Sequence, residues 1–121
     1  MSVQPYVLND ALAPNSIIWA WTNLQLNQSG QPAELLYGAG RLWVQVGGTP
    51  GSGGVVMIEG SITGTQWGQL ILENNNAAQF GTAGGGALRG TPRLIRPRVV
   101  SGDGNTAFTV HISFAGFKVP G

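Results

Sequence analysis

The sequence predicts an all-β protein: an antiparallel β-sandwich of jelly-roll type with an extended N-terminal arm. Three observations predict it. Residues 41–72 are three short apolar runs cut apart by glycine, threonine and proline, almost without charge. Such runs, joined by tight turns, make strands that bury one face. Residues 108–114 alternate between apolar and polar, the two-residue period of a half-buried strand. No segment sustains a helical period over two turns.

Residues 1–15 hold two prolines and no clean period. They read as an arm, either lying on a neighbour or frayed at its end. Residues 16–121 make a single β-sandwich domain. Ser16–Leu24, SIIWAWTNL, is rich in β-branched and aromatic residues and reads as a strand. Ile17, Trp19 and Trp21 share one face, and Ile18, Ala20 and Leu24 the other. A strand apolar on both faces is either central in a sandwich or packed at an interface. Residues 27–32, NQSGQP, form a loop by composition, and 38–40 a turn. The segment 33–37 between them is ambiguous.

Residues 41–46 set Leu42, Val44 and Val46 against Trp43 and Gln45. The following GGTPGSGG, residues 47–54, reads as a flexible hairpin connection, and Val55–Ser61 as the next strand. ITGTQ, residues 62–66, turns the chain into a strand at 67–72. A polar, glycine-rich stretch then runs to Gly90, and at Gly84, Gly85 and Gly86 chain entropy opposes order unless something holds it. In RLIRPRVV, residues 93–100, Leu94, Arg96, Arg98 and Val100 share one face, and Ile95, Pro97 and Val99 the other. Pro97 lacks an N–H and calls for an edge position or a bulge. SGDGN at 101–105 is a turn. Phe108, Val110, Ile112 and Phe114 are expected to face the core.

The chain is 121 residues long, one domain's worth, and its 12.6 kDa suffices for a core without staples. It has no cysteine, which excludes disulfides and thiolate metal sites and suits a reducing cytoplasm. No basic leader and no long apolar run appears, so neither a signal peptide nor a membrane span is expected. Asp, Glu, Lys and Arg are only 9% of the residues, against about 25% in ordinary domains. Such a surface is either covered by partners or kept soluble by Asn, Gln, Ser and Thr. A net charge of +1 gives no general pull toward nucleic acid or anionic lipid.

Candidate chemistry is sparse. GTPGSGG lacks the Lys-Ser/Thr and the helix of a phosphate loop. His111 is the single histidine and has no second ligand nearby in sequence. Glu59 and Glu73 could be paired as acid and base, but any two carboxylates would fit that pattern equally. Ser101, Asp103 and Asn105 could offer oxygens to calcium, but the acidic spacing of a calcium loop is missing. No cofactor or metal is expected, and no enzymatic activity.

Arg89, Arg93, Arg96 and Arg98 are four of the six basic residues and fall within ten positions. Arginine pairs bidentately with carboxylates and tolerates interfaces, so the cluster points to docking on an acidic protein surface. The plainer reading is a solvated edge whose charges deter sheet pairing. Tyr6 in the arm and Trp19 and Trp21 on the two-faced strand complete the candidate partner-binding residues. Trp19, Trp21, Trp43 and Trp67 could also form a sugar-stacking platform, or simply fill core and interface.

Residues 44–70, VQVGGTPGSGGVVMIEGSITGTQWGQL, run from a strand through a glycine-rich hairpin to Ile58-Glu59-Gly60-Ser61 and then a tryptophan after a short turn. Residues 95–112, IRPRVVSGDGNTAFTVHI, set Arg96-Pro97 before a Gly-Asp-Gly turn and a closing strand. Together they resemble the capsid decoration (cement) proteins of tailed bacteriophages. Ile62-Thr63-Gly64 departs from the Asn-Asp-Gly type of turn in that pattern. The resemblance implies a structural virion protein, made in the host cytoplasm, that binds the outside of the shell. Its implied partners are the major capsid protein and further copies of itself, as a dimer or trimer, with neither nucleic acid nor membrane among them. The resemblance brings no catalytic residues. The alternative from a different class is a carbohydrate-binding β-sandwich module of a tail spike or fibre, resting on the tryptophans.

Overall fold

The structure is a computed structural model that describes residues 3–9, 16–35 and 40–116. Twelve strands follow in order: β1 (Val3–Gln4), β2 (Val7–Asn9), β3 (Ser16–Leu24), β4 (Ser29–Gly30), β5 (Ala33–Glu34), β6 (Arg41–Thr49), β7 (Val55–Ser61), β8 (Gly68–Gln69), β9 (Gln79–Phe80), β10 (Gly84–Ala87), β11 (Leu94–Ser101) and β12 (Ala107–Ala115). They form a five-stranded sheet, β10-β6-β12-β3-β2, and a seven-stranded sheet, β1-β4-β11-β7-β8, in which β5 also pairs with β11 and β9 with β7. All pairings are antiparallel except β1 with β4. The expected class, an antiparallel β-sandwich, is what the chain adopts.

Alternation builds the core. Leu42, Val44 and Val46 of β6 and Phe108, Val110, Ile112 and Phe114 of β12 are all buried, as their period requires. Opposite them lie Val56 and Ile58 of β7 and Ile95 and Val99 of β11. Each such side chain contributes about 1.5–3 kcal/mol by leaving water. On β3, Trp19 and Trp21 point inward, and so does Leu24, which strict alternation assigns to the other face. The pairing explains the switch: Val110 opposes Trp21 while Phe108 opposes Leu24, so β3 carries one extra residue there. Asn23, at φ 56°, takes the left-handed turn of that bulge.

Two local expectations are corrected, and a third, conditional one is met. The glycine-rich 47–54 connection is not a hairpin. Its first residues extend β6 to Thr49, and the remainder crosses from the five-stranded to the seven-stranded sheet. The strand expected at 67–72 shrinks to β8, because the chain then bridges Ile71 to Ala77 and Leu72 to Leu88 across the side of the sandwich. Gly84, Gly85 and Gly86 are ordered as β10, held by pairing with Val46, Gln45 and Val44.

Pro97 is not on an edge strand. β11 lies between β7 and the β4–β5 segment, where Ile95 pairs with Ala33 but Arg98 pairs with Ser29. The two pairings differ in register by one residue, and Pro97 occupies that irregular step. The Val99 N–H, next on that side, donates to Gln28 O at 2.9 Å. Gly30 faces the proline; a Cβ there would come within 2.7 Å of Pro97 Cδ and 2.6 Å of Trp21 Nε1.

Of the N-terminal arm, residues 3–9 lie along the chain's own sheets, β1 against β4 and β2 against β3. The remainder of 1–15 falls outside the described residues, as do 36–39 of the segment around the expected turn at 38–40.

Candidate partner-binding surfaces

The two outer faces of the sandwich differ in chemistry. The strands of the seven-stranded sheet carry four ionic residues, Glu34, Glu59, Arg96 and Arg98. Those of the five-stranded sheet carry one, Arg41, at the end of β6 paired with Ala115.

On the seven-stranded sheet, the predicted alternation of β11 turns Arg96 and Arg98 outward. Arg96 pairs in register with Glu59, and both arginine Nε groups donate to Glu59 Oε1 at 3.1 Å. Glu59 is only 5% exposed beneath them. The Arg96 guanidinium also lies 4.0 Å from the centre of the Trp67 ring, a cation–π contact, and Arg98 Nη2 reaches Met57 Sδ at 3.7 Å. Two cations share one carboxylate, leaving a local excess of one positive charge.

The other two arginines of the cluster stand apart. Arg93 donates to Ile62 O at 3.2 Å and lies 3.5 Å from Glu34, an exposed pair of small energetic weight. Arg89 donates to Glu73 O at 3.1 Å. The sequence cluster is therefore three separate placements, not one free basic patch. Each of the four arginines has a partner within the chain.

Beside Arg93 the 62–66 turn presents Ile62, which is 77% exposed. The turn is fixed by hydrogen bonds. Ser61 Oγ donates to Gln66 O at 2.6 Å and accepts the Gly64 N–H at 2.8 Å, with Gly64 at φ 85°. Next to Ile62 lies a hollow of about 440 Å³ whose lining includes Gly60, Leu70, Gln69 and Pro92. Gln69 pairs with Glu59, so the hollow adjoins the arginine–tryptophan network. An exposed apolar residue, an apolar hollow, an arginine and an arginine-capped tryptophan thus occur together. The turn was legible in the sequence; the outward position of Ile62 was not.

Trp19 and Trp21, expected among the partner-binding residues, are core residues. Trp19 is 4% exposed and Trp21 is fully buried, so neither offers area to a partner. Trp21 Nε1 donates to Gln31 O at 3.1 Å. Tyr6 is half-buried and packs edge-on against Trp21, centroids 5.9 Å apart. It seals the core more than it faces outward. The four-tryptophan sugar platform is likewise dispersed: two are buried, Trp67 lies under Arg96, and Trp43 alone is widely open, at 53%.

At one end of the sandwich Asp103 ties two loops together. Its carboxylate accepts the Asn105 N–H at 2.9 Å and the Ser52 N–H at 3.1 Å. These bonds, the Asn105 N–H foremost, hold its carboxyl below the ordinary carboxylate range. Thr106 Oγ1 accepts the Asp103 N–H and donates to Pro50 O, both at 2.9 Å. The SGDGN segment is a structural turn, as its composition suggested. Among the described residues no three His, Asp or Glu side chains gather as metal ligands.

Comparison of the chain with protein-family models, curated proteins and solved structures finds no match.

Proposed function

We propose that the chain is a structural virion protein that binds the outside of a bacteriophage capsid and holds neighbouring capsomers together. The observation that carries the reading is the surface around Ile62. Its exposed isoleucine, apolar hollow, Arg93 and Arg96-capped Trp67 have the make-up of a protein-docking hot spot, where tryptophan and arginine concentrate around an apolar centre. The low charge of the whole chain and the resemblance of residues 44–70 and 95–112 to decoration proteins support it. The proposed partner is the major capsid protein, and further copies of this chain, as a dimer or trimer, would raise the effective concentration of each attachment.

The physics of such a role is linkage. A protein that binds the assembled shell, and not its separated parts, raises the free energy needed to part them. Catalysis is not required, and the arginines serve to place and orient the contact.

Ile62→Asp tests the reading. It puts a charge at the centre of the proposed contact while leaving the core untouched. Co-sedimentation with shells that lack the protein should show affinity falling at least about tenfold, the loss typical of a hot-spot residue. Unchanged binding by a folded variant would remove this surface from the contact.

A further inference from the structure

We infer that the outer face of the five-stranded sheet is a binding platform for a neutral oligosaccharide, centred on Trp43 and Gln45. This goes beyond shell attachment and does not depend on it. Trp43 is a large aromatic ring on a sheet face, 53% exposed. Across the strands, register sets Gln45 opposite His111, and Trp43 opposite Ser113. Thr109 stands two residues from His111 on the same face. Apart from Arg41 at one end, no Asp, Glu, Lys or Arg interrupts these strands.

The neighbouring strand leaves the ring open. Gly85 pairs with Gln45, and a Cβ at Gly85 would come 2.7 Å from Val44 O and 3.5 Å from Trp43 Nε1. Glycine there allows the close pairing and keeps any side chain off the indole. Three shallow hollows, of about 530, 340 and 230 Å³, all include Gln45. The first runs from Trp43 to Gly84 and Gly85, the second to Thr109 and His111, the third to Ile18 and Ser113. Together they cross β10, β6, β12 and β3, three strand spacings or about 14 Å. That is room for a short run of sugar units.

The chemistry selects the ligand class. A sugar ring has an apolar C–H face, which packs on an indole, and an equatorial rim of hydroxyls, which both donate and accept. Gln, His, Ser and Thr both donate and accept, and so pair with hydroxyls without demanding a charge. An acidic glycan or a nucleic acid would call for cations that these strands do not hold. An apolar protein surface would leave the amide, imidazole and hydroxyl groups unpaired.

The test titrates the protein with cellohexaose, maltohexaose, mannohexaose and chitohexaose, followed by calorimetry and by tryptophan fluorescence. Trp19 and Trp21 are buried and Trp67 is partly covered by Arg96, so the part of a fluorescence change that disappears in Trp43→Ala reports on Trp43. We expect saturable binding of at least one of the four, insensitive to salt and weakened at least tenfold by Trp43→Ala. Gln45→Ala, a smaller change, should weaken it as well and covers the case in which Trp43→Ala fails to fold. No binding to any of the four, or binding that survives both variants, would overturn the inference. So would a Trp43→Ala protein that binds no sugar differently but loses its hold on capsid shells, which would make this face a protein contact. Ile62→Asp, on the other sheet's side, reports shell attachment separately and should leave sugar binding unchanged.

Discussion

Asp103 shows how much one side chain can organise here. Its backbone hydrogen bonds are made by the ionised carboxylate, and they lower its folded-state pKa relative to the unfolded chain, where the value is about 3.9. A depressed folded-state pKa gives stability that is present above the unfolded value and is lost as pH falls through the folded one. Thermal melts of the wild type should therefore lose ground on acidification below about pH 4. Asp103→Asn should melt lower than wild type at neutral pH and show a shallower acid loss. Parallel acid profiles for the two proteins would show that Asp103 does not contribute through its charge. At this scale the sequence was informative about turns and poor about tryptophans. SGDGN marked itself as a turn through glycine and Asp chemistry. The alternation of β6 set Trp43 with Gln45 opposite Leu42, Val44 and Val46, whereas β3 is apolar on both faces, so nothing local said which way Trp19 and Trp21 turn.

At the scale of elements, two-residue alternation carried most of the information. It placed the inward residues of β6, β11 and β12 correctly and set Arg96 and Arg98 on one face. It failed where the count of residues changed. The bulge at Asn23 returned Leu24 to the core, and the crossing after Thr49 joined two sheets instead of closing a hairpin. Both depend on long-range pairing that a local pattern does not encode. The register of β12 has a direct test. Val110→Asp buries an unpaired charge between β3 and β6, at a cost of several kcal/mol, and should abolish cooperative unfolding in urea. Thr109→Asp, one residue away on the outer face, should keep a cooperative transition with a loss within about 1 kcal/mol. A cooperative melt for Val110→Asp would shift the register by one residue and exchange the two faces.

At the scale of the molecule, the sandwich is a scaffold with two unlike sides. One sheet's outer face concentrates charge, satisfied internally as Arg96–Glu59–Arg98, beside an exposed isoleucine and a hollow. The other is nearly uncharged and presents one open tryptophan among polar groups. Composition foretold a sparsely charged surface but not its division, because the segregation arises when distant strands enter the same sheet. On our reading the charged side meets the shell and the tryptophan side is turned to the surrounding solvent. The most direct measurement of the central claim is the thermal and osmotic endurance of shells purified without this protein, before and after it is added back. Added protein should sediment with the shells and raise the temperature at which they break open. Shells that neither bind it nor gain any endurance would show that the protein does not hold capsomers together.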